Sequence, residues 1–464
     1  MIEAASNSAL HDWLDRLARE ELLTITRPNL PLKFGIAAVA KRLDGQKAVL
    51  FPAPGGHSIP ILCGILSRRE WFSDAFGVRP DQLIERVRKA VSAPIPCREV
   101  DDAPAYEFVH NKFDLTSDLP VPTFNELDSA PYLSAAMLVM RNPVTGAQNA
   151  SINRCQLNGP NRLGVLIATR DTRLFYETAE AANVALEIAL VIGPDPMALL
   201  ASQVSAPAGQ DELEIAGAMR GQPLKVVKCR TNSVRVPADA EIVLEGRILP
   251  KVREAEGPFG EFQQVYADQG LREVIEVDLL AHRRNPIFQA IVSGSREHAL
   301  LGSIPKEASL LNSLQQSFPN VLDVHLTIGG SGRFHANIRL RKRAEGEAKN
   351  IIMAAFGANV SLKKVTVVDD DIDIYSQEEV EWATATRFRA DRDLVIVNNA
   401  LCAPLEPTSE NSMSAKLGLD ATKPLRTKEL RYTRTFVPGE NEVVLENILV
   451  PNIGTNWRET LNVK

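Results

Sequence analysis

The chain has 464 residues, 45% of them hydrophobic and 24% charged, a globular composition with length for about three domains and sizeable cores. A formal net charge of −6 excludes nucleic acid as a main partner, because a polyanion needs a basic face, and the short basic runs at 340–343 and 282–284 read as solvated surface. No window approaches the ~18 apolar residues that span a bilayer, the N-terminus lacks an apolar signal core, and five scattered cysteines without a C-x-x-C pattern suit a reducing compartment, so the expectation is a cytoplasmic protein that binds no membrane.

In chain order, Leu10, Trp13, Leu14 and Leu17 fall at i, i+3, i+4 and i+7 and predict an amphipathic helix over 8–22. Stretches 24–28 and 48–54 read as strand ends, and 80–92 reads as a helix opened by Pro80. The proline-rich 118–126 must then run extended. From 130 to 300, short β-branched runs are broken by Gly, Pro or Asn, with one helical interlude near 172–182. That texture favours a barrel or sandwich over a doubly wound sheet. A linking helix is predicted over 306–318, then a hairpin over 324–340 that turns at 329–332. A helix (345–356), a strand (364–369), a second helix opened by the capping pattern Ser376–Glu379, and a strand (394–399) read as a separate α/β domain. Past 400 the Pro, Asn and Gly content predicts a loop and a docking arm.

Most candidate motifs have structural readings. "GGSG" at 329–332 fits no phosphate-loop pattern, and "GGHS" at 55–58 is no nucleophile elbow. Asp369, Asp370, Asp371 and Asp373 match no cation-loop spacing, so turn and cap roles are expected. Two stretches resist such an assignment. "EGPFGE" (256–261) sets Glu256 and Glu261 on either side of a turn that cannot be helical, as solvated turn residues or as an acid/base pair. "NASINRCQ" (149–156) is strand-like, and Asn149 and Arg154 would face opposite ways unless a bulge intervenes. Beside two glutamates, Arg154 makes either an ordinary salt bridge or a clamp that holds a planar carboxylate through two parallel hydrogen bonds.

These two stretches and "KLGLDAT" (416–422) occur in order, with similar flanking texture over nearly the whole chain. On them the chain resembles the UbiD family of reversible decarboxylases that use prenylated FMN, the ferulic acid decarboxylases among them. The resemblance implies a mixed α+β fold. Its parts would be an N-terminal α/β segment (1–110), a central FMN-binding split β-barrel (111–305), a linker helix (306–322), a C-terminal α/β oligomerisation domain (323–440) and an arm (441–464). It also implies a hinge that closes over the cofactor, a homodimer or higher homo-oligomer, and a flavin prenyltransferase as cofactor supplier.

The chemistry explains the cofactor: losing CO2 from an sp² carbon leaves an in-plane carbanion that no side chain can delocalise. Carried over by resemblance, Arg154 holds the substrate carboxylate and Glu256 pairs with and orients it. Glu261, shielded from Arg154, is the general acid that protonates the product carbon. Asn149, Ser151, Ile152, Arg154, Glu212 and Lys416 fall on cofactor-binding positions. Asn149 and Glu212 would share Mn²⁺ with the phosphate, K⁺ would lie nearby, and Lys416 would reach the phosphate as a point charge. Where the family usually has a metal-binding His, this chain reads "LIATRDTRLF" (166–175). Either Asp171 replaces the His as an oxygen ligand, or Arg170 binds phosphate directly, or the cofactor is held poorly. His298 and Leu301 would line the substrate pocket, and a His there suits a furan-, pyrrole- or indole-type carboxylic acid. The alternative is a flavin-binding homologue with reduced catalysis that serves as a carrier or assembly subunit.

Overall fold

The structure, a computed structural model, describes residues 9–167, 170–207, 209–426 and 430–449. The chain forms two compact units, 1–422 and 423–464.

In the first unit, the helix Ala9–Arg19 buries Leu10, Trp13, Leu14 and Leu17, the stripe its periodicity predicts. Strands Leu23–Ile25, Ala48–Phe51 and Ile61–Cys63 make a four-stranded sheet with Phe288–Gln289. The N-terminal segment expected to close at 110 therefore takes its last strand from the far end of the strand-rich region.

That region is mixed α/β around a nine-stranded sheet curled into a half-barrel. In spatial order the strands are Tyr132–Leu133, Cys155–Leu157, Arg162–Val165, Gly270–His282, Ile242–Glu256, Leu186–Ile192, Met137–Arg141 and Gln148–Ile152, with Phe108–His110 paired to Gly270–His282. Central strands are buried on both faces, so alternate residues serve different cores: Leu186, Ile188, Leu190 and Ile192 enter one, Ala189 and Val191 the other. The curl is marked where Ile242–Glu256 and Gly270–His282 pair with register shifts at Glu245/Gly246 and between Ile248 and Arg253. Gly246 is obligatory there, because a Cβ would overlap the Glu276 carbonyl and stand 3.0 Å from the Val277 Cα.

Four elements depart from the sequence reading. Helices Pro196–Ala201 and Glu212–Arg220 are buried on nearly every side, so they lack the polar face that marks a helix in sequence. The predicted linker helix is the second half of one continuous helix, Arg296–Ser317, which Ser295 caps by accepting from the His298 amide. Pro305, just ahead of the predicted start, sits inside it. The expected loop past 400 contains the strand Met413–Ala421, which lies between Lys364–Asp369 and Leu394–Leu401 and completes a five-stranded sheet with Val321–Leu326 and His335–Leu340. Buried Lys416 and Gly418 interrupt its apolar alternation.

The acidic run is an ion-pair cluster: Arg387 binds Asp369 at 2.6 Å and Asp371 at 2.9 and 2.8 Å, and Asp370 meets Arg341. The basic run at 282–284 is not simply solvated, since Arg283 is buried against Glu241 at 3.1 Å. All five cysteines are free, and no described helix is long and apolar enough to cross a membrane. The second unit shows three short 3-10 turns, Leu430–Tyr432, Glu440–Glu442 and Leu445–Asn447, and the arm expected over 441–464 lies outside the described residues from 450 on.

Gly246→Ala should lower the unfolding free energy by about 1–3 kcal/mol in denaturant titration, as forced overpacking does. An unchanged midpoint would mean that the two long strands can part at the bulge.

Candidate active site

Glu256 is the last residue of the strand Ile242–Glu256 and pairs with Gly270. The chain leaves that strand through Gly257, whose φ of 85° favours glycine and whose amide donates to Gln156 Oε1 at 2.8 Å. Phe259–Gly260 then pairs with Tyr266–Ala267, and the Glu261 amide closes the intervening turn on the Val265 carbonyl at 2.9 Å. Arg154 comes from a two-residue break between Gln148–Ile152 and Cys155–Leu157, where the Asn153 amide donates to the Ala136 carbonyl. A break in the strand, not a bulge, re-aims Arg154.

The three side chains meet. Arg154 Nε and Nη2 donate to the two carboxylate oxygens of Glu256, each at 2.9 Å, in a planar fork. Arg154 Nη1 forms an ion pair with Glu261. Side-chain exposures of 8%, 0% and 9% for Arg154, Glu256 and Glu261 show that neither glutamate is a solvated turn residue. The guanidinium lies over the Phe259 ring at 5.0 Å. One expectation is corrected: Glu261 is not shielded from Arg154, because the turn 261–265 folds its carboxylate back onto the guanidinium. Glu261 also faces a cleft of about 420 Å³ bounded by Phe34, Lys41, Phe124, Tyr266 and Val292, whereas Glu256 is sealed.

Asn149 and Glu212 lie together at a second, oxygen-rich place. The Ala150 amide donates to Glu212 Oε2 at 2.8 Å, Asn149 Nδ2 donates to Thr172 Oγ1 at 3.3 Å, and the Ser151 and Thr172 hydroxyls are 3.1 Å apart. Glu212 is buried with no cationic partner among the described residues. Burial pushes its carboxyl up to about 8 despite the Ala150 amide, and the charges of Asp211 and Asp171 add to the shift. Arg170 clasps both Asp171 oxygens at 3.0 Å while its own side chain is 71% exposed. No cluster of three or more His, Cys, Asp or Glu that could hold a metal occurs among the described residues. What is present is an all-oxygen set of the kind hard cations take, with one buried acid lacking a counter-charge.

Two predicted contacts are not formed. Lys416 Nζ donates to the Val360 and Leu362 carbonyls at 2.7 and 2.8 Å, inside the C-terminal sheet and away from the Asn149 group. Leu301 is 2% exposed and belongs to the hydrophobic core because the helix runs continuously past it. His298 is half-buried in the first turn of that helix, with its ring edge-on to Phe262 at 6.1 Å. Gln156 and Tyr132, which together hold the Gly257 amide, went unnoticed because nothing in their spacing ties them to residue 257.

Family models match three consecutive stretches: the 3-octaprenyl-4-hydroxybenzoate carboxy-lyase N-terminal domain over 14–91, its Rift-related domain over 98–296 and its C-terminal domain over 299–421. The chain belongs to the UbiD family. Among its relatives, an anhydromevalonate phosphate decarboxylase of Methanothermobacter thermautotrophicus is 35% identical over 90% of this chain and 98% of its own length. A phenolic acid decarboxylase of Sedimentibacter hydroxybenzoicus is 30% identical over 97% of each chain. The UbiD-class enzyme HmfF of Pelotomaculum thermopropionicum, solved in complex with FMN, superposes with a TM-score of 0.93 at 46% identity, covering 95% of this chain and 100% of its own. An evolved dimeric form of HmfF, solved with prFMN, gives 0.89 at 43% identity, covering 96% and 100%. This UbiD-family chain is accordingly a carboxy-lyase.

Glu256→Ala should cost about 3–5 kcal/mol of unfolding free energy, because it strips a buried guanidinium of its two-point partner. A loss below about 1 kcal/mol, the range of surface pairs, would mean that the fork is not what holds Arg154.

Proposed function

We propose that this chain is a reversible, non-oxidative decarboxylase of an aromatic or heteroaromatic carboxylic acid (furan, pyrrole or indole type) and works with prenylated FMN. The observation that carries the reading is the Arg154 guanidinium, fixed on one edge by buried Glu256 and touching, on the other, a Glu261 that opens on a cleft. Relatives that bind FMN and prFMN support the choice of cofactor. When bound, that cofactor supplies the electron sink for the carbanion left by CO2.

The chain's own residues have distinct tasks. The Glu256 fork keeps Arg154 aimed, so its remaining edge can hold a substrate carboxylate with two parallel hydrogen bonds. Glu261 occupies that edge in the free protein, so an arriving carboxylate displaces it. Once separated, Glu261 takes a proton from solvent in the cleft and delivers it from its carboxyl oxygen to the ring carbon that has lost CO2. In the reverse direction it removes that proton.

Asn149, Ser151, Ile152 and Glu212 would hold the phosphate end together with a divalent cation such as Mn²⁺, and K⁺ would take nearby backbone carbonyls. Buried, uncompensated Glu212 supports a cation there, with Asp171 as a further oxygen donor if Arg170 lets go. Lys416 could reach the phosphate only by giving up its two carbonyls. A homodimer or larger assembly is supported by the edge strand Leu394–Leu401, which exposes Ile396 and Leu401. A cytoplasmic location and a flavin prenyltransferase as supplier complete the reading.

Two experiments on protein co-expressed with a flavin prenyltransferase test it. Glu261→Gln should lower turnover by about 10²–10⁴-fold, the usual contribution of a positioned proton donor, with flavin absorbance retained. Undiminished turnover would contradict the assignment, and a flavin-loaded wild type that exchanges CO2 with no acid would establish the carrier reading instead. Glu212→Ala should purify with less flavin and less divalent metal than wild type by absorbance and elemental analysis. Equal retention would remove Glu212 from the cofactor site.

A further inference from the structure

His282, in the basic run at 282–284, faces a second histidine. It ends the long strand Gly270–His282, and His110 ends the short strand Phe108–His110. The two strands are antiparallel, with His282 opposite Phe108 and His110 opposite Leu280, so the histidines are diagonal neighbours on one face of the sheet. Their Nε2 atoms are 3.1 Å apart, and their ring centres are 5.2 Å apart at an interplanar angle of 15°. Nearly the whole span between the centres is taken up by the two nitrogens and the gap between them, so the rings meet edge on, nitrogen to nitrogen. At its other end the long strand pairs with Glu256, so the histidines lie at the end remote from Arg154.

The His282 ring is fixed. Its Nδ1 donates to the Arg283 carbonyl at 2.8 Å, which in the neutral ring leaves Nε2 as an acceptor. On its far side the Phe108 ring stands 5.2 Å away at 15°, and Phe108 lies under the Arg284 guanidinium, whose Nε donates to Glu107 at 2.8 Å. His110, which is exposed, then donates its Nε2 proton to His282 in the free protein. His11 and His325, by contrast, pair with the carboxylates of Glu241 and Glu307.

Two imidazole nitrogens bound to one ion at about 2.0–2.1 Å stand roughly 2.9 Å apart at a right angle and roughly 3.4 Å apart at the tetrahedral angle. The 3.1 Å between His110 and His282 falls inside that window, so both rings can reach one ion by side-chain rotation, with neither strand displaced. His282 already has the tautomer a ligand needs, with its other nitrogen on a carbonyl, the usual support of a metal-bound imidazole. In His110 the proton passes from Nε2 to Nδ1 through water, and the ring stays neutral.

We propose that His110 and His282 chelate one borderline divalent ion, Zn²⁺, Cu²⁺ or Ni²⁺, whose remaining positions are filled by water. Imidazole suits these ions, whereas Mg²⁺ and Mn²⁺ prefer oxygen donors such as those at Asn149 and Glu212. Phe108–His110 pairs with Gly270–His282 alone among the described strands, so the ion staples the first strand of the half-barrel to its sheet.

The test titrates Zn²⁺ by calorimetry into flavin-free wild type, His110→Gln, His282→Gln and Glu212→Ala, each first stripped with a chelator. Wild type and Glu212→Ala should bind one equivalent that both histidine variants lose or bind at least about tenfold more weakly, since losing even a supporting partner of a ligand costs that much. With substoichiometric Cu²⁺, electron paramagnetic resonance should show coupling to two imidazole nitrogens in wild type and in neither histidine variant. Zn²⁺ should raise the thermal midpoint of wild type but not of His110→Gln, whose midpoint in chelator should equal that of wild type because position 110 is exposed. Equal Zn²⁺ stoichiometry and affinity in wild type and His110→Gln, whatever His282→Gln does, would overturn the site and leave the pair a hydrogen bond alone. Turnover enters none of these measurements, so the site and the decarboxylase reading stand or fall separately.

Discussion

The two-point contact between Arg154 and Glu256 is the constraint from which the rest of the site follows. A guanidinium buried at the end of a half-barrel needs a counter-charge, and Glu256 meets it with both oxygens from the last position of the sheet's longest strand. The curl of that strand against Gly270–His282 sets where its end lies, so the bulge at Gly246 and the glycine turn at 257 belong to the same arrangement. With one edge of Arg154 satisfied, the other can exchange partners. Glu261 holds it now, and any planar carboxylate of suitable reach competes for it.

On the proposed reading, that exchange gives the two glutamates different tasks through their positions. Glu256 is closed off and has no route to solvent, so it can only orient. Glu261 sits at the mouth of a cleft and can meet both a substrate and a proton source. The turn between them does more than separate two acids, since the Arg154 guanidinium lies over its Phe259 ring.

Much of this was legible in the sequence because the motifs are contiguous. "EGPFGE" and "NASINRCQ" each carry their functional atoms within a few residues, and their order along the chain pointed to the family. What could not be read depended on contacts distant in sequence. Gly302 matters only because Arg333 crosses it, and Gly257 is held by Gln156 and Tyr132 from two other strands. The buried helix Glu212–Arg220 has no polar face to reveal it, the first half of the helix Arg296–Ser317 is likewise buried almost throughout, and buried Lys416 disguised a strand. Leu301 was misplaced for a related reason: a helix beginning at Arg296 turns it into the core.

The most direct measurement is a crystal structure of the flavin-loaded protein with a slowly reacting acid in the cleft. The account predicts an unchanged Glu256 fork, the substrate carboxylate on the second edge of Arg154, and Glu261 moved off the guanidinium toward the reacting carbon. A bound acid that leaves Arg154 bridging both glutamates, with its carboxylate held elsewhere, would contradict it.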